Sequence, residues 1–269
     1  MLNLGMILIF AAAAAVSPTP SPAAAPDVCG TGHTNLLAAL DRPSVGFSPC
    51  AVKPRERVFE MGYAQASGSE GRLATFPQGF LRFGTGPNLE LDVIGPAYDV
   101  LQAARGGGRS GGFQDSGVGA KYELWHHGAA AMGLDFLYTI PTGAAAFTAG
   151  APEQTVNVDY SAPVSSIFSI SSTIGIQNSF AASASGASGR FISGLPSVLI
   201  TDAWNTRAQA FVEAFGQTRT RPDGVSLFGV DANVQYLLAP QIEVDVGAGR
   251  TVTGGAHSHF AGFGFGLRF

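Results

Sequence analysis

From Arg57 to Phe269, apolar side chains recur at every second position rather than every third or fourth. A period of two marks extended strands with two unlike faces. The clearest stretch is 166–180. There Phe168, Ile170, Ile174, Ile176 and Phe180 alternate with Ser169, Ser171, Thr173, Gly175, Gln177 and Ser179. In 241–249 the second face is charged: Ile242, Val244, Val246 and Ala248 alternate with Gln241, Glu243, Asp245 and Gly247. The chain ends on Ala261, Phe263, Phe265, Leu267 and Phe269, set between Gly262, Gly264, Gly266 and Arg268.

The alternation predicts strands at 57–67, 75–84, 87–95, 115–125, 128–139, 154–162, 165–180, 190–202, 205–217, 225–238, 241–251 and 260–269. The weakest are 154–162, flanked by Pro152 and Pro163, and 190–202, interrupted by Pro196. Without them ten would remain. Connections are expected to alternate. Tight turns fall at Thr85-Gly86, His126-His127, Pro163, Ala203-Trp204 and Ala239-Pro240, and longer loops lie between, the longest at 96–114 and 140–153.

Such strands suit either a soluble sandwich or a membrane barrel. Only 13% of residues are charged, about half the usual share. With 46% hydrophobic residues the chain is not a disordered one. A sandwich would not call for long and short connections in strict alternation, nor for an aromatic closing strand. In lipid, every backbone polar group needs an internal partner, so a spanning sheet must close. The expectation is an all-β fold: a transmembrane antiparallel up-and-down β-barrel of about twelve strands, with a short irregular N-terminal periplasmic segment, in the Gram-negative outer membrane. With an even number of strands, both chain termini face the periplasm. A net charge of −4 without a basic patch excludes a nucleic-acid partner.

Residues 1–25 read as a signal peptide, apolar over 6–16, although no Lys or Arg precedes that core. Residues 26–54 form the periplasmic segment and 55–269 the barrel. Cys29 and Cys50, in an exported chain and not spaced C-x-x-C, are expected to pair. Closing a loop of roughly 20 residues restrains it by about 3 kcal/mol.

If the apolar faces meet lipid, the charges point inward. These are Glu60, Arg82, Glu90, Asp92, Lys121, Glu123, Asp135, Arg207, Glu213, Asp231, Glu243, Asp245 and Arg268. On the lipid face an Arg or Lys would cost about 2–4 kcal/mol at mid-membrane. Inside they either pair structurally or line a polar conduit, and the sequence leaves both open. The acidic excess implies a weak cation preference if the lumen conducts. Tyr63, Trp125, Tyr138, Trp204, Tyr236 and Phe269 suit interface girdles. Phe265, Leu267 and Phe269 are the expected signal to the barrel-assembly machinery.

One set of motifs resembles a known family. It comprises Cys29-Gly30, Asn35-Leu36-Leu37, Arg42-Pro43, Cys50-Ala51-Val52, Glu60-Met61-Gly62-Tyr63, Pro77-Gln78 and Arg82. To these are added Asp115-Ser116-Gly117-Val118-Gly119-Ala120-Lys121-Tyr122, Pro141-Thr142-Gly143, Val212-Glu213, Asp231, Tyr236-Leu237-Leu238 and Asp245-Val246-Gly247-Ala248-Gly249. Over 29–269 the chain is similar to the outer-membrane transporter-like family labelled "putative MetA-pathway of phenol degradation". The resemblance implies an outer-membrane channel for small compounds, aromatic or apolar, and brings no catalytic residues.

Gly108-Arg109-Ser110-Gly111-Gly112 fits G-x-S-x-G but lacks the strand–turn–helix context of a nucleophile elbow. His126-His127 and His257-x-His259 lack companion ligands and read as turn histidines. No enzyme, metal or cofactor is expected. The functional expectation is a small-molecule channel with a polar lumen, its entrance narrowed by 96–114 and 140–153. The alternatives are a structural or adhesive barrel with a plugged lumen, and a lipid hydrolase.

Overall fold

The computed structural model describes Cys29, residues 35–104 and residues 106–269. The expected signal peptide, 1–25, lies outside the described residues.

One antiparallel sheet closes on itself. Its strands are β1 (Arg57–Gly68), β2 (Gly71–Phe76), β3 (Phe80–Gly84), β4 (Leu89–Ile94), β5 (Tyr98–Ala103), β6 (Arg109–Phe113), β7 (Ser116–His127) and β8 (Ala130–Ile140), followed by β9 (Glu153–Pro163), β10 (Phe168–Ala182), β11 (Ser188–Asn205), β12 (Ala208–Gln217), β13 (Leu227–Ala239), β14 (Ile242–Thr253) and β15 (Ala256–Arg268). β2–β3, β4–β5 and β6–β7 are each one stave of the wall, broken midway, so the barrel has twelve staves. The seam joins β1 to β15, from Val58↔Arg268 to Gly68↔Ser258. Both weak stretches are complete staves. Pro196 in β11 falls where pairing with β12 has just ended at Ser197↔Phe215, and the sheet tolerates its missing N–H there.

Burial is inverted relative to a soluble protein. Ile174, Ile176, Val212, Phe228, Val246 and Phe263 are each more than half exposed, whereas Arg82, Lys121, Glu60, Glu90, Glu123 and Glu243 are fully buried. In β13 the rule is plain over most of the strand: Val230, Ala232, Val234, Tyr236 and Leu238 face out, and Asp231, Asn233 and Gln235 face in, with Leu237 facing in as well. Among the described residues no helix is long and apolar enough to span a membrane.

Two expectations change. The region 96–114 is not an irregular loop. β5 and β6 extend the wall towards the extracellular end, pairing with β2 and with each other. The breaks at 77–79, 95–97 and 114–115 hid this, because each makes the step between successive inward positions five, an odd number: Thr75 to Phe80, Ile94 to Asp99, and Gly112 to Gly117. Single bonds bridge the breaks, from Gln78 N to Gly62 O, Gly95 N to Gly79 O and Gln114 N to Ala97 O. The strict alternation of connection lengths also fails. At the end away from the chain termini, 69–70 and 254–255 are two-residue hairpins. The positive φ of Gly254 and Gly255 (55° and 86°) suits a tight turn that splays no strands. The loop at 141–152 is long, as expected.

The segment before β1 is irregular, but it does not hang outside the barrel. After the single helical turn α1 (Leu36–Ala39), capped by Asn35 Oδ1 accepting from Leu37 N at 3.1 Å, the chain enters the lumen from the periplasmic mouth. Leu36, Leu37, Leu40 and Val52 of this plug meet Val58 and Leu237 of the wall in a small apolar cluster. The Cys29–Cys50 disulfide is formed, and Cys50 packs with Ala131 of β8.

Candidate functional site

The plugged lumen gathers most of the chain's carboxylates. Arg82 on β3 is its hub. Its guanidinium lies 2.6 Å from Glu90, 2.8 Å from Glu60 and 3.3 Å from Asp41 of the plug, and it donates to Ala39 O at 2.5 Å. Lys121 on β7 holds Asp41 at 2.8 Å and lies 3.7 Å from Asp135, with its Nζ over the Phe47 ring. Asp41 thus ties the plug to two staves at once. Buried ions persist only when paired and hydrogen-bonded, and these are.

Wall carboxylates also take the plug's backbone. Glu60 accepts from the amides of Asp41 and Arg42, Glu213 from Val45 and Gly46, and Glu90 from Val52. Ser197 donates to Glu213. Thr173 Oγ1 accepts from Phe47 N and donates to Asp159 at 2.5 Å. Further along, Arg42 pairs with Asp245 at 3.4 Å, and Lys53 with Glu123 at 3.2 Å. An irregular segment has no ladder for its amides, and a buried amide needs a partner. Here the wall supplies carboxylates instead of strands.

Glycines make the room. A Cβ on Gly133 would stand 2.7 Å from Pro49 O, and one on Gly266 would stand 2.6 Å from the Leu40 side chain.

Most of the thirteen predicted charges therefore lie inside. Asp92, Asp231 and Glu243 are buried on the same inner face as those already placed. Two do not line the lumen. Arg207 belongs to the two-residue turn after β11 and donates to Leu237 O and Leu238 O. Arg268 lies at the periplasmic rim and donates to Pro240 O. At a strand end, a long cation reaches free carbonyls more readily than the lumen.

The motif carboxylate Asp115 organises a loop. Its two oxygens accept from Gly143 N and Ala149 N, each at 2.9 Å, and Ser116 N donates to Thr142 Oγ1. Gly117 and Gly119 lie on the inner face opposite Ile94 and Asp92, Lys121 holds Asp41, and Tyr122 is exposed on the outer face. Phe265 and Leu267 lie on the outer face of β15, Phe265 edge-on to Phe59, and Phe269 follows its end, well exposed. Ser110 pairs with Leu101 on β6, and His126 Nδ1 lies 2.6 Å from Glu123 Oε1.

The sequence reading missed the apolar part of the inner face. Above the plug, Phe80, Ile94, Leu137, Leu195, Phe215 and Phe260 occupy inward positions. Phe215 and Phe260 meet edge-to-face, their centroids 6.3 Å apart, over Gly229 and Gly249. The signal was present as Phe or Leu at charge-bearing parity, but it was overshadowed by the stronger outer-face pattern.

A closed twelve-stave antiparallel barrel with a lipid-facing apolar belt and a polar interior defines an outer-membrane barrel of channel-like architecture. The chain belongs to the family described as "Putative MetA-pathway of phenol degradation", whose model matches residues 41–269. Its fold is similar to three solved structures. The crystal structure of the COG4313 outer membrane channel from Pseudomonas putida F1 has a TM-score of 0.64 and 12% identity, over 81% of this chain and 97% of that one. The NanC porin gives 0.53 and 10%, over 76% and 98%. The translocator domain of the autotransporter NalP from Neisseria meningitidis gives 0.52 and 12%, over 86% and 91%. No curated protein matches in sequence.

Proposed function

We propose that the barrel is a restrictive channel that admits small aromatic or apolar compounds, not a wide porin. The carrying observation is the set of apolar side chains on an otherwise polar inner face, above a plug tied down by charge. A water-filled pore has a polar lining. Inward Phe and Leu side chains instead offer a solute apolar contact. The plug sets the closed state, and passage to the periplasm requires its displacement. The inward charges hold the plug rather than select ions. Phe265, Leu267 and Phe269 present the closing strand to the assembly machinery, and the exposed apolar belt meets outer-membrane lipid.

The plug also supports a second reading, a structural barrel closed for good. Solute flux separates the two. Phenol entry into proteoliposomes, with conductance in planar bilayers, is measured for the wild type and for a chain lacking residues 35–53. The channel reading expects phenol flux in the wild type and large conductance only after deletion. If neither protein passes phenol, the barrel is structural.

A further inference from the structure

Six side chains on the outer wall form one continuous cross-strand row near the extracellular end: Arg109, Gln102, Arg72, Ser67, His259 and Arg250. Each is the register partner of the next, across β6, β5, β2, β1, β15 and β14. Directly opposed residues share a face. Row members alternate with residues such as Leu101 and Leu73 on the inner face, so the row points outward.

A second row lies four residues nearer the periplasm on the same strands: Phe113, Tyr98, Phe76, Tyr63 and Phe263. Tyr98 meets Phe113 edge-on at 5.1 Å, and Tyr63 lies 5.5 Å from Phe263. Aromatic rows of this kind mark the level of the lipid headgroups. Four residues of strand span about 13 Å, or about 10 Å along the membrane normal at the usual tilt of about 40°. The basic row therefore stands at or just beyond the headgroups of the outer leaflet.

The row carries no acid. The acids of these strands, Glu60, Asp99, Glu243 and Asp245, are buried in the lumen, and Glu70 sits on the 69–70 hairpin beyond the row. Arg72 and Arg109 border a groove of about 280 Å³ floored by Ala74 and Val100. Among the described residues no hydrogen bond or ion pair engages either guanidinium. Arg250 donates one N–H to His257 Nδ1 and keeps its others free. Arg190, on the other side of the barrel, differs: it is bonded to Pro152 O.

We propose that this row binds the phosphate groups of the anionic glycolipid of the outer leaflet, with the acyl chains lying against the aromatic row below. Arginine's planar fork fits phosphate oxygens bidentately, and the spacing of Arg72 and Arg109 across one intervening strand suits two separated phosphates.

The test is native mass spectrometry of the detergent-extracted full chain, titrated with bisphosphoryl lipid A, with dephosphorylated lipid A and with inorganic phosphate. Bisphosphoryl lipid A is expected to bind at least about tenfold more tightly than the dephosphorylated form, and a chain carrying Arg72→Gln, Arg109→Gln and Arg250→Gln to lose about that factor. Arg190→Gln is expected to change nothing. Heat-modifiable gel migration checks that each variant is folded, and the comparison of the two lipids needs no variant at all. Equal binding of the two lipids overturns the proposal, as does undiminished binding by the folded triple variant. Displacement of lipid A by millimolar phosphate would assign the row to the free ion and overturn it too.

Discussion

Below Asp135 the lumen is filled by chain and charge. Above it, Leu137, Leu195, Phe215 and Phe260 line the same cylinder without any inserted segment. In the lower half several buried carboxylates have a cation or a plug amide beside them, as Glu60, Glu90 and Glu213 do. In the upper half polar groups satisfy one another locally, as when Thr75 donates to Asp99 at 2.6 Å and Gln114 donates to its second oxygen at 2.8 Å. Charge suits the half where partners are fixed by many strands at once. Apolar side chains suit the half left without an inserted segment, where the proposed solute would pass.

The sharpest way to break this contrast is Arg82→Met. It leaves Asp41, Glu60 and Glu90 facing one another without their common cation. The expected cost is about 3–5 kcal/mol in urea unfolding from micelles, with the plug exposed to protease. Adding Glu60→Gln and Glu90→Gln should recover part of it, and a loss near zero would refute the charge-based account. Replacing Cys29 and Cys50 by serine should cost up to about 3 kcal/mol by the same assay and loosen only the plug. Gly133→Ala forces a Cβ against Pro49 and should cost about 1–3 kcal/mol, read as faster proteolysis of the plug. In the upper half, Phe260→Leu should cost only about 1 kcal/mol by removing the ring pair, yet change phenol flux more than any lower-half substitution that leaves the plug seated. The smallest effect is expected from Asp115→Asn. It keeps one acceptor for the 141–152 loop and should cost less than about 1 kcal/mol, seen as quicker cleavage within that loop.

The wall was legible because lipid and lumen write opposite demands on alternate residues. Val230 to Leu238 could be assigned a face by counting in twos. The plug was not legible. Residues 40–54 have no period, and nothing in a lone Glu60 or Glu213 says that it will accept backbone amides from a segment more than fifteen residues away. The disulfide was readable from two cysteines in an exported chain, but not the fact that it anchors the plug. Arg207 and Arg268 could be read for charge and parity, while their place at the periplasmic rim depended on which turns close the strands. The upper wall at 98–113 escaped because counting in twos fails across each break.

Those three breaks stand side by side, and this sets how the wall can change. Each shifts the phase of its stave by one position, so β2, β5 and β6 stay in step with one another. Deleting one residue from 95–97 alone would bring the step from Ile94 to Asp99 back to four, so Asp99 would stay inward and the stave would meet its broken neighbours across a one-residue bulge, as unbroken β1 already meets β2 and β3. The wall can therefore shed the three extra residues one at a time, each loss only moving the seam at which staves of unequal length meet.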